Sequence, residues 1–240
     1  MHFSFRGIVL SQIPYSDSSS IVKFLSRDLG LQSVLVKGLS GKRGKGIRPL
    51  LNKMNVVEVE AFRKKEDQLA VLKNLRSAPD QAPIMDVRRS AILLFVNEVL
   101  CRTVKEGHEE KELFDLVMAL LGSLYSSENY ADLHLVFMMK LTSIFGAQPE
   151  LPEIAPNYFD MIEGSACAII PNHSHYVEGE ICRLFFKCLG TDLAKDATLG
   201  ATNEERRILL EKIIEYYQIQ LDEKLELRSH KVLHTVLGEA

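Results

Sequence analysis

The stretch "NVVEVEAFR", residues 55 to 63, alternates apolar and polar side chains in a way that decides the fold of the first third of the chain. In an extended strand, successive side chains point to opposite faces. One face would carry Val57, Val59 and Ala61, and the other Glu58, Glu60 and Phe62. A period of two over this length predicts a half-buried β-strand.

Four further short apolar runs surround this stretch and extend the same prediction. They are "FSFRGIVL" (3–10), "SIVKFLSRD" (20–28), "LQSVLVKG" (31–38) and "DQLAVLKNLR" (67–76). The intervening "SQIPYSDSSS" (11–20) is rich in turn-forming residues. Five short strands with no helix among them predict a small antiparallel β-barrel, and the OB-fold is such a barrel that binds oligonucleotides.

Beyond Pro83 the apolar residues recur at spacings of three and four, which predicts helices. The helical segments are residues 83–107, 109–127, 129–146, 178–190 and 202–223. Pro83 and Gly107 would begin and end the first helix, and Thr202 with Glu205 would form a capping box. The fold class is therefore α+β, with an OB-fold domain over residues 1–80 and an α-helical domain over residues 81–240.

Charge divides the chain at nearly the same place. The net charge of the 240 residues is -3, but residues 1–78 contain 14 Lys and Arg against six Asp and Glu. The first third therefore carries roughly +8 and the remainder roughly -11. No apolar run reaches the roughly 20 residues that a membrane helix needs, and no signal peptide is recognisable. Four irregularly spaced cysteines are typical of a reducing compartment, so we expect a cytoplasmic protein.

The segment "VLVKGLSGKRGKGIRP", residues 34 to 49, combines glycines with cations and contains no acid. It does not fit a nucleotide-binding P-loop, because Ile47 and Arg48 stand where Lys and Ser/Thr are required. The remaining functional interpretation is a flexible connector whose cations neutralise a phosphate backbone without contacting the bases. The alternative is a solvated hairpin tip. The candidate DNA-binding residues are Lys37, Lys42, Arg43, Lys45 and Arg48, with Arg6, Lys23 and Arg27 on the same domain.

Aromatic residues offer a weaker signal for binding single strands, on which bases could stack. Phe24 lies at an alternating strand position, which favours the core. Tyr15 lies in the polar turn, and we include it among the candidate DNA-binding residues.

A cluster of cysteine and histidine raises the question of zinc. The candidate ligands are Cys167, His173, His175 and Cys182. Structural zinc sites usually contain C-x-x-C pairs, and none occurs here. Cys182 falls in an amphipathic helix, where cysteine behaves as a small buried hydrophobe. We therefore expect no metal and no other cofactor, and the absence of catalytic motifs favours a binding protein over an enzyme.

The segment from "GIVLSQIPYSDSSSIV" (7–22) to the Pro-Leu pair at 49–50 resembles the amino-terminal region of the RecO family of bacterial recombination mediators. The pattern comprises the GIVL strand, the turn of Tyr15, Asp17 and Ser18, the Asp28 and Gly30 pair, and a KG that opens a basic loop. The carboxyl-terminal "ELRSHKVL" (226–233) is similar to the closing helix of that family. The similarity in layout covers the whole chain.

This resemblance implies an OB barrel followed by a helical domain. It also implies binding of single- and double-stranded DNA, annealing of complementary strands, and loading of RecA with RecR onto strands coated by the single-stranded DNA-binding protein, whose acidic tail is a further partner. Neither nucleotide nor membrane is involved, and the protein would associate with the nucleoid. Many members carry a four-cysteine zinc motif where this chain has a degenerate segment around 157–182. The missing C-x-x-C pairs favour a metal-free version.

Two other hypotheses remain open. The first is an adaptor whose basic barrel binds an acidic protein tail instead of DNA. Such a protein would bind the tail peptide but not naked oligonucleotide. The second is a zinc-dependent enzyme built around Cys167, His173 and His175, which a stoichiometric metal assay would test.

Overall fold

The computed structural model describes residues 1–65, 68–79, 86–104, 110–152, 156–195, 197–221 and 225–238. The chain forms two compact units. The first contains Met1–Met85 and Leu93–Asp115, and the second contains Asp86–Ile92 and Leu116–Ala240. Helical residues therefore belong to the barrel unit as well. The domain limits 1–80 and 81–240 stay a prediction, and residues 80–85 lie outside the described ones.

The predicted barrel is confirmed. Its strands are β1 (His2–Ser16), β2 (Ser19–Ser26), β3 (Gly30–Lys37), β4 (Val56–Phe62) and β5 (Ala70–Ser77). They close in the order β1-β2-β3-β5-β4. All pairs are antiparallel except β3 with β5, which are parallel. Five strands closed in this way form an OB-fold, as expected.

The barrel interior is filled by the side chains that alternation predicts. Val57, Val59 and Ala61 of β4 are buried, whereas Glu58 and Glu60 are exposed. They pack with residues of the other strands in one core cluster, whose members include Val9, Val22, Phe24, Val34, Val36 and Leu72. The assignment of Phe24 to the core is therefore confirmed.

The turn-rich segment 11–20 was expected to separate two strands, and this expectation is largely wrong. Strand β1 continues to Ser16, and only Asp17 and Ser18 form the turn. Pairing with β2 stabilises the continuation, and register shifts between Val9 and Ser11 and between Pro14 and Ser16 accommodate it. The result is a long hairpin that carries Tyr15 near its tip.

The expectation that the basic loop is a flexible connector is also wrong. Residues Lys42–Ile47 form a short helix, α1, and Arg48–Leu51 form a 3₁₀ turn. Ile47 and Leu51 are buried in the barrel core, which fixes both elements. Gly44 allows the close approach, because a Cβ atom there would lie 1.9 Å from the carbonyl oxygen of Leu39.

The helical part of the chain has the five helices that periodicity predicts and, in addition, the closing helix α7, which only the family resemblance implied. They are α2 (Val87–Thr103), α3 (Lys111–Ser126), α4 (Leu133–Ile144), α5 (Gly179–Gly190), α6 (Asn203–Gln220) and α7 (Ser229–Gly238). The capping box of Thr202 and Glu205 is present at the start of α6. The proposed helix ends at Pro83 and Gly107 fall outside the described residues. No helix in the described part of the chain is both long and apolar enough to cross a bilayer.

The segment around 157–182 contains a small antiparallel sheet. Its strands are β6 (Tyr158–Asp160), β7 (Ser165–Cys167) and β8 (Tyr176–Glu178), in the order β7-β6-β8. The Phe159 ring is buried and lies 4.7 Å from the Phe185 ring and 5.4 Å from the Tyr216 ring, centroid to centroid. Aromatic packing therefore fixes this sheet on α5 and α6.

Candidate nucleic-acid interface

The basic segment that contains α1 lies at one end of the barrel, beside the tip of the β1–β2 hairpin. The Leu39 amide donates to the carbonyl oxygen of Ser18 at 2.8 Å, and the Ser40 hydroxyl donates to that of Asp17 at 3.0 Å. Lys37 pairs with Ser19 in the β2–β3 register. These contacts bring Tyr15, Lys37 and α1 to the same end of the barrel, although they are separated in the sequence.

The cations at this end are available to a ligand. Lys37, Lys42, Lys45 and Arg48 have exposed side chains. None of the ion pairs formed by the described residues involves these four. The first turn of α1 contains no acidic residue. We call these four residues the basic end. The side chain of Arg43, the fifth predicted member, lies outside the described residues.

Tyr15 is a candidate stacking residue on the same hairpin. Its side chain is 64% exposed, as expected for a surface position. Ile13 on the same strand is 51% exposed. An exposed aromatic ring beside exposed cations is an arrangement that binds unpaired bases and their phosphates together. The role of Tyr15 in DNA binding stays a prediction.

Arg27, another predicted DNA-binding residue, is already engaged by a carboxylate. Its Nε and Nη2 atoms both donate to Asp115 at 2.9 Å, and Asp28 lies 3.8 Å away. Hydrogen bonding from Arg27 lowers the pKa of Asp115, because the guanidinium stabilises the charged carboxylate. A phosphate at Arg27 would have to compete with this bidentate pair. The two partners are 88 positions apart in the sequence, so no local pattern reveals this pair.

The structure places Lys23 and Arg6 away from the basic end. Lys23 lies in the middle of β2, opposite Ser33 of β3, and is half-buried. Arg6 lies on β1, is exposed, and stands opposite Glu58 of β4. The nine predicted residues therefore occupy several parts of the barrel and do not form one patch.

Two cations on β5 were not singled out from the sequence. Arg76 is exposed and stands opposite Glu58, on the side of β4 away from Arg6. The Lys73 ammonium lies 5.6 Å from the centroid of the Phe62 ring. Alternation of Ala70 and Leu72 in the core could have identified Lys73 as outward-facing, but the register shift opposite residues 72–74 moves Leu75 into the core and hides the orientation of Arg76.

A second feature lies at the opposite end of the barrel. A cavity of about 460 Å³ is lined by Met1, Phe3, Leu29, Gln32, Arg63, Lys64 and Lys65. The Arg63 guanidinium lies 5.4 Å from the Phe3 centroid, and its Nη2 donates to Gln32 at 3.3 Å. Its buried Nε atom has no acceptor among the described residues. Cations and apolar walls thus meet at this cavity.

The four candidate zinc ligands are not brought together as a metal site. The Nε2 atom of His173 lies 3.1 Å from Asp160, and the Nδ1 atom of His175 lies 2.8 Å from Glu215. Cys182 is buried in α5, and burial raises its thiol pKa to about 11. Within the described ranges, no group of three or more Cys, His, Asp or Glu is arranged to hold a metal ion. The expectation of a metal-free protein remains untested.

Comparisons with known proteins agree over the length of the chain. Residues 1–78 match the family model "Recombination protein O N terminal", and residues 85–229 match "Recombination protein O C terminal". This chain is similar to proteins named DNA repair protein RecO in three bacteria. The identity is 26% with the protein of Azobacteroides pseudotrichonymphae, 28% with that of Flavobacterium psychrophilum and 29% with that of Bacteroides fragilis. These alignments cover 98%, 99% and 95% of this chain and 99%, 100% and 96% of the relatives, respectively.

Proposed function

The chain belongs to the RecO family, with a role in DNA repair and recombination, and we propose that it binds DNA through the basic end of its barrel. The observation that carries this proposal is the set of exposed cations Lys37, Lys42, Lys45 and Arg48 without carboxylate partners. Such cations release counterions from a phosphate backbone and bind it without reading the sequence. Both single- and double-stranded DNA are therefore ligands.

Annealing follows from the same electrostatics. Two complementary strands repel each other through their phosphates, and cations at the barrel neutralise part of that charge. Exposed Tyr15 would hold an unpaired base beside them. No nucleotide is consumed and no bond is broken, so the protein acts as a mediator and not as an enzyme.

The acidic part of the chain suits protein partners better than DNA. Residues 79–240 carry roughly -11, which repels a phosphate backbone. We assign to this part the docking of RecR, with which the protein would load RecA onto single strands coated by the single-stranded DNA-binding protein. A location in the cytoplasm, associated with the nucleoid, belongs to the same proposal.

Fluorescence anisotropy of a labelled single-stranded oligonucleotide at several salt concentrations tests the proposal. The logarithm of the binding constant should fall linearly with the logarithm of the salt concentration. Reversing Lys42, Arg43 and Lys45 to Glu should weaken binding to all oligonucleotide sequences alike and flatten this slope. A control variant reverses two exposed lysines of the helical part, Lys195 and Lys231, and should leave the slope unchanged. If the variant with Lys42, Arg43 and Lys45 reversed keeps the wild-type slope, the basic end is not the DNA site.

The cavity at the opposite end of the barrel supports a second candidate function. An acidic protein tail with an apolar residue would place its side chain against Phe3 and Leu29, and its carboxylates near Arg63, Lys64 and Lys65. The protein would then act as an adaptor, either instead of binding DNA or beside it. A labelled acidic peptide ending in Phe, displaced by unlabelled peptide but not by oligonucleotide, would support this function. Reversal of Lys64 and Lys65 to Glu should abolish peptide binding and leave oligonucleotide binding intact.

A further inference from the structure

A row of apolar side chains lies across the outer wall of the barrel. Ile13 of β1 stands opposite Ile21 of β2, Ile21 opposite Leu35 of β3, and Leu35 opposite Val71 of β5. Directly opposed residues on neighbouring strands share a face of the sheet. Their neighbours along the strands fill the barrel core instead, and these include Val22, Val34, Val36, Ala70 and Leu72. We call Ile13, Ile21, Leu35 and Val71 the apolar row.

Solvent reaches the apolar row. Ile13 is 51% exposed, and the other three side chains are half-buried. Every residue from 12 to 16 is exposed, so this part of the β1–β2 hairpin extends beyond the barrel core. Tyr15, two positions after Ile13, adds an exposed aromatic ring. A single exposed apolar side chain is common on protein surfaces, but a contiguous group of them indicates a binding surface.

The apolar row adjoins the basic end. Lys37 follows Leu35 by two positions on β3, so both side chains lie on the outer face, with Cα atoms about 7 Å apart. Lys37 is exposed and stands opposite Ser19, so no carboxylate faces it across the β2–β3 register. A DNA strand whose phosphate binds Lys37 would therefore bring the attached base within reach of Leu35 and Ile21.

We propose that the apolar row and Tyr15 contact unpaired bases and so make the barrel hold single strands more tightly than duplex DNA. The proposal rests on DNA binding at the basic end and goes beyond it, because cations alone bind both forms through their phosphates. Apolar and aromatic side chains bind the faces of unpaired bases, whereas in a duplex those faces are stacked on neighbouring base pairs. Annealing would therefore remove the contacts with the apolar row, and the duplex product would be released more readily than either strand.

Two single strands of equal length test the proposal. One is oligo-dT, and the other has the same backbone with an abasic deoxyribose at every position. Both strands carry the same charge, and only the first carries bases. In fluorescence anisotropy the wild-type protein should bind oligo-dT at least about fivefold more tightly than the abasic strand, which is the effect of one stacked base.

Substitutions on the hairpin should reduce this difference. Tyr15→Ala should weaken oligo-dT binding by at least about fivefold, and Ile13→Ser by about threefold. Binding to the abasic strand, and to a duplex with G·C pairs at both ends, should stay within about twofold of wild type. The salt slope should not change, because base contacts release no counterions. Both variants should unfold near the wild-type temperature, because both side chains are exposed.

The small sheet of residues 158–178 offers a matched control. Ile170 is 49% exposed, almost as much as Ile13, and lies outside the barrel. Ile170→Ser makes the same chemical change as Ile13→Ser and should leave the binding of all three ligands unchanged.

Equal binding of oligo-dT and the abasic strand by the wild-type protein would overturn the proposal. Equal losses on single strands and duplex in the hairpin variants would also overturn it, as would the same loss in Ile170→Ser. If charge reversal at Lys42, Arg43 and Lys45 still flattened the salt slope, DNA binding at the basic end would stand and only the base contacts would fail. Absence of oligonucleotide binding by the wild-type protein would overturn both.

Discussion

The cations of α1 and those of α6 have the same chemistry and opposite surroundings. Lys42 and Lys45 of α1 are exposed and belong to no ion pair among the described residues. On α6, Arg207 bonds to Glu204 and Glu211, and Arg206 bonds to Asp132. These ion pairs neutralise the arginines of α6. The Arg207 pairs lie within the helix, and the Arg206 pair connects the helix to Asp132. The charges of α1 remain available to a phosphate. Positive charge indicates a binding surface only where carboxylates are missing from its neighbourhood.

The largest effect that we expect from a single change is at Asp132. This buried carboxylate accepts from Arg206 Nε at 2.6 Å and from the Leu199 amide at 2.7 Å. Asp132→Ala would leave both donors without an acceptor and a largely buried guanidinium uncompensated, at a cost of about 3–5 kcal/mol. Urea denaturation measures this loss. Arg207→Ala on the same helix is the control and should cost less than about 1 kcal/mol, because that ion-pair network is exposed.

Acid should destabilise the helical part through His134. Complete burial lowers the pKa of this imidazole from 6.5 to about 3. The unfolded chain then binds a proton below pH 6.5 that the folded chain does not bind, so stability is lost as the pH falls from 6.5 towards 3. At pH 5 the loss is about 2 kcal/mol. Urea denaturation at pH 7.5 and pH 5 measures it.

His175→Gln removes an exposed histidine and should leave this pH dependence in place. His134→Gln should reduce it, and an unchanged profile in that variant would show that another group is responsible.

Neutralising the basic end should change DNA affinity without changing stability. In Lys42→Gln/Lys45→Gln, two lost phosphate contacts weaken oligonucleotide binding by on the order of tenfold at 0.1 M salt. The free energy of unfolding should stay within about 0.5 kcal/mol of wild type, since both side chains are exposed. Anisotropy and urea denaturation on the same samples check the two halves of this prediction. A large loss of stability would mean that these lysines support the fold, as the cations of α6 do.

The smallest expected effect comes from releasing Arg27. Asp115→Asn removes the charge that now neutralises this guanidinium and should cost less than about 1 kcal/mol of stability. If Arg27 lies on the DNA path, affinity should rise by about twofold to fivefold. Asp28→Asn makes the same change in net charge beside Arg27, at a carboxylate 3.8 Å away, and should have less effect. If both variants gained the same affinity for oligonucleotide, the cause would be the change in net charge and not the release of Arg27 from Asp115.

Local patterns were sufficient for much of the fold. Alternation in residues 55–63 identified β4 and its buried face, and Thr202 with Glu205 identified the start of α6. The basic segment was misread, because glycines and cations gave no sign that Ile47 and Leu51 would enter the barrel core. Burial of those two side chains turns a flexible-looking segment into α1 and a 3₁₀ turn.

The charge of the proposed DNA-binding surface was predictable from the sequence, but the arrangement of its side chains was not. The excess of cations in residues 1–78 follows from composition alone, and five strands follow from apolar periodicity, because both are properties of neighbouring residues. Which cations are free depends on side chains that meet only after folding. Arg27 is paired with Asp115, which is 88 positions away in the sequence, and strand register places Glu58 opposite both Arg6 and Arg76. Pairing across such distances requires tertiary contacts between segments that are far apart in the sequence, which no local pattern encodes.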